Sequence, residues 1–377
     1  MLWVTNDLPP RTGGIQQFIV NLLRRVHPDT TVVVGPAGGP AAARSDAEER
    51  HRTVRAPGAV LPTPQVLRLV LDVARTHHPE VVVLGAAWPL GELAGPLRRH
   101  LGVPVVALTH GLEAGMAGAG LGHLITRATR DLAAVTTISE FTVAQLGGAL
   151  AAERVRSLPP GVDIDRFHPG VDGGPLRARW GVPADATLVG CVSRLVPRKG
   201  QDTLLEVWPQ VQQRHPGAWL VLVGEGPRHA RLARRAERLR VGAQVLLTGA
   251  VAWEELPAVY AALDLFAMPC RTRWGGLDVE GLGIVYLEAQ ATGVPVVVGR
   301  SGGAPETLLD PAAGTVVDGR DPAAVLAAMD GWLAAPGRRL AAAVPARRSV
   351  ADRYGWTALA RDLELLLEEV IDGAAPR

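Results

Sequence analysis

Apolar runs rich in valine and leucine recur along the chain. Between them lie longer stretches whose apolar residues return every three or four positions. In the first half the runs are LWVT (2–5), TTVVVG (30–35), VVVLG (81–85), VPVVAL (103–108) and AAVTTI (133–138); the intervening periodicity predicts helices over 15–26, 64–78, 90–101, 121–132 and 140–150. In the second half, runs at 187–193, 219–224, 244–249, 263–269, 294–299 and 314–318 alternate with predicted helices over 201–215, 229–240, 253–263, 284–292 and 321–335. Uninterrupted Val/Leu/Ile runs suit strands covered on both faces. Their alternation with helices predicts parallel sheets wound on both sides.

The pattern breaks at LPPGVDIDRFHPGVDGGP (158–175), which is rich in Pro, Gly and Asp and has no periodicity. This reads as a linker between two units, and a chain of 377 residues suits two domains. The expected fold class is α/β, with two Rossmann-like doubly wound domains facing each other across a cleft. The expected boundaries are 1–163, 164–350 and 351–377, the last segment holding an amphipathic helix over 357–371 that crosses back to the first domain. The stretch 36–52, PAGGPAAARSDAEERHR, reads as a flexible surface loop.

Composition acts by exclusion. A formal net charge of +2 is too weak to imply a nucleic-acid partner, yet suits an anionic small molecule. Two cysteines, Cys191 and Cys270, supply neither a disulfide framework nor a zinc cluster. Reduced, buried thiols in a cytoplasmic protein are expected. The start MLWVTNDLPP lacks a signal-peptide layout, and no run reaches the ~18 apolar residues of a membrane span. No GxGxxG fingerprint follows a strand; P-loop, HExxH and GxSxG motifs and metal-ligand clusters are missing too, so neither metal nor cofactor is expected.

Ligands of such sheets bind beyond the carboxyl ends of the strands, and chemistry-bearing residues gather there. Arg194 and Lys199 follow the run TLVGCVS and precede a helix start near Gln201. Two cations beside free helical amides make an anion site, the alternative being solvated loop charges. In DVEGLGIVYLEAQATGVPVVVG (278–299), Glu280 and Glu288 stand in an apolar run with seven residues between them, an E-x7-E spacing. Gly281, Gly283 and Ile284 lie at the start of a helix whose unpaired amides suit a diphosphate. A carboxylate accepts from two adjacent hydroxyls, as sugars and riboses offer; for Glu288 the alternative is an exposed helix position. Gly13 and Gly14 open another helix, and His110 ends the run VPVVAL at a cleft mouth.

These residues carry a resemblance. The segments VTNDLPPRTGGIQ, THGLEAGMA, PPGVDIDRFHP, VSRLVPRKGQDTLLE, LVGEGP and PCRTRWGGLDVEGLGIVYLEAQATGVPVVVGRSGGAPE resemble the retaining GT-B glycosyltransferases of family 4. The CRTR and GGLDVEG runs resemble the actinobacterial phosphatidylinositol mannosyltransferases within it. The resemblance implies metal-free transfer of a hexose, mannose from GDP-mannose, to a glycolipid such as phosphatidylinositol monomannoside. It implies that Arg194 and Lys199 neutralise the diphosphate, Glu280 holds the donor sugar and Glu288 the ribose. Gly14 then meets the diphosphate, His110 lies beside the reacting sugar, Asp7 and Gln16 lie near the acceptor, and the backbone around Val251 meets the base. The implied partners are a nucleotide sugar, a glycolipid or saccharide acceptor and an anionic membrane on its cytoplasmic face. For that surface the stripe Leu121, Leu124, Ile125 and Ala128, with Arg127 and Arg130 beside it, is one candidate, and a core-packed helix the other. Three further readings stand beside this one: the same enzyme with a soluble acceptor, a sugar-nucleotide epimerase, and a non-catalytic nucleotide-sugar binder. A dehydrogenase is the weakest, since its fingerprint is missing.

Overall fold

The apolar runs become strands of two parallel sheets in the computed structural model, which describes residues 1–11, 13–146, 150 and 152–374. The first sheet holds β1 (Leu2–Val4), β2 (Val32–Gly35), β3 (Arg52–Arg55), β4 (Val82–Leu84), β5 (Val105–Ala107), β6 (Ala134–Thr137) and β7 (Val155–Ser157), in the order β3-β2-β1-β4-β5-β6-β7. The second holds β8 (Thr187–Val192), β9 (Ala218–Val223), β10 (Val245–Gly249), β11 (Leu265–Met268), β12 (Val296–Gly299) and β13 (Gly314–Val317), in the order β10-β9-β8-β11-β12-β13. In each, the strand order reverses beside the first strand: between β1 and β4, and between β8 and β11. These are the switch points at which doubly wound sheets open a crevice.

The strand periodicity of two explains the packing of the first unit. Leu2, Val4, Val32, Val34, Val82 and Leu84 pack with Val66, Val70 and Leu97 of the helices on one face. Their alternates Trp3, Val33, Val83 and Val106 pack with Phe18, Ile19 and Leu22 on the other. The last helix, Trp356–Ala374, adds Trp356, Leu359, Leu363 and Leu367 to that second face. It therefore belongs to the first unit, which spans Met1–Gly161 and resumes at Trp356; the second unit is Val162–Gly355. Cys191 and Cys270 are free and buried in the second.

Several elements depart from the periodicity reading. β3 and β7 carry Arg52, Arg55, Arg156 and Ser157 instead of an apolar run, because a sheet edge has water on one side. Within the stretch expected to be a loop, residues Gly39–Ala47 form a helix, rich in small residues and burying only Ala42. A short helix, Gly174–Arg179, begins inside the expected linker. The nineteen-residue helix Pro336–Tyr354 runs where no element is expected; Pro345 and five arginines obscure its pattern, and it buries only Ala342, Ala346, Val350 and Tyr354. The helix expected over 140–150 is observed as Glu140–Leu146, and 147–149 lie outside the described residues.

Candidate active site

In the second unit, β8 ends at Val192 and the chain turns through the single 3-10 turn Pro197–Lys199 into the helix Gln201–Arg214. Lys199 is buried, its Nζ 2.7 Å from Oε2 of Glu280. Arg198 reaches the same oxygen at 3.7 Å and also Asp278 Oδ1 at 3.4 Å. Arg273 closes the cluster on the other Asp278 oxygen at 3.1 Å. The segment after β11 is thus pinned by its acids to the segment after β8, across the switch point. Arg194 behaves differently: its carbonyl accepts from Gln201 at 3.0 Å, while its side chain is exposed and has no ion pair among the described residues. Lys199 and Glu280 are brought together; the Arg194 head group stays in solvent.

Glu280 is held from behind by its backbone. Its amide donates to Ser301 Oγ at 3.2 Å, and its carbonyl accepts from the Gly303 amide at 3.1 Å. Gly302 lies between them with φ 53°; a Cβ there would come within 1.9 Å of the Glu280 carbonyl oxygen. Only glycine fits so close an approach at positive φ. The run RSGGAPE is therefore a clasp on Glu280, a role that spacing alone does not reveal.

Gly283, at φ 89°, turns the chain into the helix Ile284–Ala291, and a Cβ there would meet the Tyr286 ring at 2.7 Å. The first amides after it, those of Ile284 and Val285, are of the kind a helix leaves unpaired at its start, while the Tyr286 amide donates to the Gly283 carbonyl at 3.0 Å. Gly281 lies in the same turn. Glu288 follows in the helix but is buried, not at an exposed position, with 4% of its surface accessible. Its Oε2 accepts from the Tyr260 hydroxyl at 2.5 Å. Burial pushes its carboxyl from the usual 4.5 up to about 7, while the Tyr260 hydrogen bond and the Arg166 charge pull it back. Val251 lies beyond the end of β10, partly buried against the core of this unit, one strand further from the switch point than β9.

In the first unit the residues after β1, β4 and β5 converge. Asp7 Oδ1 accepts from Gln16 Nε2 at 2.7 Å. Burial raises the Asp7 carboxyl above its ordinary value, and the nearby His110 and Arg11 oppose the rise. His110 Nε2 lies 2.6 Å from the Gly85 carbonyl oxygen, so that nitrogen is the donor. The His110 ring stands edge-on to Phe18 at 5.6 Å. Glu113, buried and absent from the sequence reading, accepts the amides of Trp88 at 3.4 Å and His110 at 3.3 Å. It ties the loop after β4 to the loop after β5. Gly14 opens the helix Gly14–Leu23, and a Cβ there would meet nothing within 4 Å, so that side of its backbone is open.

The stripe considered for a membrane surface faces inward. Ile125 and Ala128 are buried, and Arg127 pairs with Glu92 at 3.0 Å; Leu121 alone of the stripe is well exposed. Among the described residues no helix is long and apolar enough to cross a membrane.

Two doubly wound parallel units, with a buried Lys–Glu pair and a helix start at the second switch point, define a GT-B glycosyltransferase. Comparison with known proteins agrees. Residues 12–166 match the family described as Glycosyltransferase Family 4, and residues 175–349 match Glycosyl transferases group 1. The chain is 45% identical over 375 residues to the GDP-mannose-dependent alpha-(1-6)-phosphatidylinositol monomannoside mannosyltransferase of Mycolicibacterium smegmatis, covering 97% of this chain and 98% of that one. It is 38% identical to the GDP-mannose-dependent monoacylated alpha-(1-6)-phosphatidylinositol monomannoside mannosyltransferase of Corynebacterium glutamicum, covering 97% of each. The crystal structure of Anabaena Alr3699/HepE in complex with UDP shares the fold, with a TM-score of 0.81 at 20% identity over 98% of this chain and 99% of that one. The chain belongs to glycosyltransferase family 4.

Proposed function

We propose that the protein transfers mannose from GDP-mannose to phosphatidylinositol monomannoside or a closely similar glycolipid, with retention at the anomeric carbon. The observation that carries this reading is full-length identity of 45% to a mannosyltransferase of that name. The geometry of the second unit supports it: a buried cation, a buried carboxylate and a helix start gather at one switch point.

In this reading Lys199 and Arg194 meet the diphosphate as it departs. Charge that develops on the leaving group is stabilised by preorganised cations and amides, commonly the largest catalytic term. The amides from Gly281 and Gly283 to Ile284 face the same group, and the Gly14 amide is assigned to it on the family likeness. Glu280 holds sugar hydroxyls, and Lys199, 2.7 Å away, fixes the position of that carboxylate. Glu288 takes the ribose hydroxyls and the backbone at Val251 the base. Asp7 and Gln16, already hydrogen-bonded to one another, are assigned to the acceptor, and His110 to the reacting sugar. The acceptor hydroxyl attacks from the face the nucleotide leaves, and a diphosphate oxygen takes its proton. No metal or cofactor has a role in this scheme. A lipid acceptor implies peripheral contact with an anionic membrane surface.

The test is incubation of the purified protein with GDP-mannose and phosphatidylinositol monomannoside, with and without EDTA, followed by mass spectrometry of the lipid. A gain of one hexose, unchanged by EDTA, is expected. No transfer from GDP-mannose, beside transfer from a UDP-sugar or to a soluble saccharide, would overturn the donor or acceptor assignment.

A further inference from the structure

The two glutamates of the pair are anchored by different chemistry, and the second anchor has no role in the scheme above. Tyr260 projects from the helix Leu256–Ala261, fully buried, its ring wedged between Phe167 at 5.8 Å and Phe266 at 5.9 Å. Its hydroxyl donates to Glu288 Oε2 at 2.5 Å. Among the described residues Glu288 has no ion-pair partner, and its carboxylate takes its one side-chain hydrogen bond at Oε2, none at Oε1. The cation whose charge acts on it, Arg166, is held by Trp253: its guanidinium lies 4.6 Å from the Trp253 ring centroid and donates to the Trp253 carbonyl. A phenol, not a cation, therefore fixes this carboxylate.

We propose that Tyr260 is a positioning residue for donor binding: by holding Oε2 it orients Glu288 and leaves Oε1 as the acceptor offered to the ribose hydroxyls of the nucleotide. This rests on the ribose assignment of Glu288 made above. A rigid phenol with two side-chain torsions, locked by aromatic neighbours, fixes its partner at little entropic cost. A lysine in its place would compete with the ribose for the same carboxylate.

The pair also sets a proton balance. An ionised Glu288 accepts both the Tyr260 hydrogen and a ribose hydrogen; a protonated one loses acceptor capacity. The groups facing it are Tyr260, which favours the ionised form, and Arg166, which does so at longer range. Cys191, from β8, faces Tyr260, and burial keeps that thiol neutral, pushed up to about 11. Donor affinity should thus decline as pH falls through the neutral range. Removing the phenol hydroxyl should move that decline to higher pH.

The experiment is calorimetric titration of GDP into the full-length chain between pH 5.5 and 8.5, for wild type, Tyr260→Phe, Glu288→Gln and the double variant. Dividing each affinity by that of Glu288→Gln at the same pH removes the phosphate's own titration. Wild type is expected to inflect near neutrality. Tyr260→Phe keeps the ring packing but binds GDP roughly ten-fold more weakly at pH 7, its inflection displaced upward by about one pH unit. In Glu288→Gln the further Tyr260→Phe change costs nothing. With GDP-mannose as donor, KM rises in Tyr260→Phe while kcat at saturation stays within about three-fold, since only donor binding is altered. Equal affinities and inflections for wild type and Tyr260→Phe would overturn the proposal. So would a Tyr260→Phe penalty that persists in full on Glu288→Gln, since that marks a packing effect. If wild type binds no GDP at any pH, the ribose assignment itself falls, an outcome distinct from binding that ignores Tyr260.

Discussion

Glu280 and Glu288 lie on one short segment and are both nearly inaccessible, 7% and 4% exposed, yet the fold treats them as opposites. Glu280 meets Lys199 at 2.7 Å and Arg198 at 3.7 Å, and its backbone is clasped by Ser301 and Gly303. Glu288 accepts from one phenol, with the Arg166 charge acting on it without an ion pair among the described residues. A carboxylate beside a cation stays charged through burial; one without such a partner drifts toward its neutral form. The difference fits the proposed work of each. The carboxylate next to the leaving group sits where negative charge grows, and two cations hold it in place. The carboxylate on the ribose needs only direction, and a hydroxyl supplies it without blocking the ligand.

The comparison can be broken most violently at the cation. Lys199→Ala removes the partner of Glu280 and a proposed diphosphate ligand together. A loss in kcat of about 10²–10³ is expected with GDP-mannose at saturation; near-normal turnover would show that Glu280 does not depend on its charged neighbour.

A milder break acts through the backbone. Gly302→Ala places a methyl group against the Glu280 carbonyl and forces an alanine to φ 53°. A destabilisation of about 1–3 kcal/mol is expected from the strain, with kcat lowered while GDP affinity is kept. Melting temperature and GDP titration measured side by side separate this from a loss at Glu288.

The gentlest substitution sharpens the contrast. Glu288 has its folded carboxyl pushed up to about 7 against an ordinary 4.5. Below the ordinary value both folded and unfolded chains hold the proton, and the group contributes nothing. As pH rises through the window between them, the unfolded chain releases its proton first, so the folded state loses stability; above the folded value the full penalty stands. Glu288→Gln escapes it. Its melting temperature should match wild type near pH 4.5 and exceed it by several degrees at pH 8, because a rise from 4.5 to about 7 corresponds to roughly 3 kcal/mol. A constant difference across that range would contradict the assignment of a raised carboxyl.

Much of this protein could be read from its sequence. Valine runs such as VPVVVG and VVVLG declare strands buried on both faces, and the helical periodicity between them forces parallel pairing. The glycines around Leu282 mark a helix start, and the resemblance built on E-x7-E and its neighbours leads to the family. These signals are local: each depends on residues within a turn or a strand of one another. What failed was also local in origin. The edge strands β3 and β7 have water on one side and need no apolar run, and the helix Pro336–Tyr354 hides its sparse buried stripe among arginines.

Only the tertiary structure decided who holds whom. Lys199 finds Glu280 because β8 and β11 are neighbours although two strands and their helices separate them in the chain. Tyr260 finds Glu288 because the helix before β11 packs on the helix after it. The inward turn of Ile125 and Ala128, and the tie of Glu113 to the amides of Trp88 and His110, likewise follow from layers meeting. A sequence specifies each element by its own periodicity, but a buried charge takes its character from groups that strand order brings beside it, and strand order is a property of the assembled sheet.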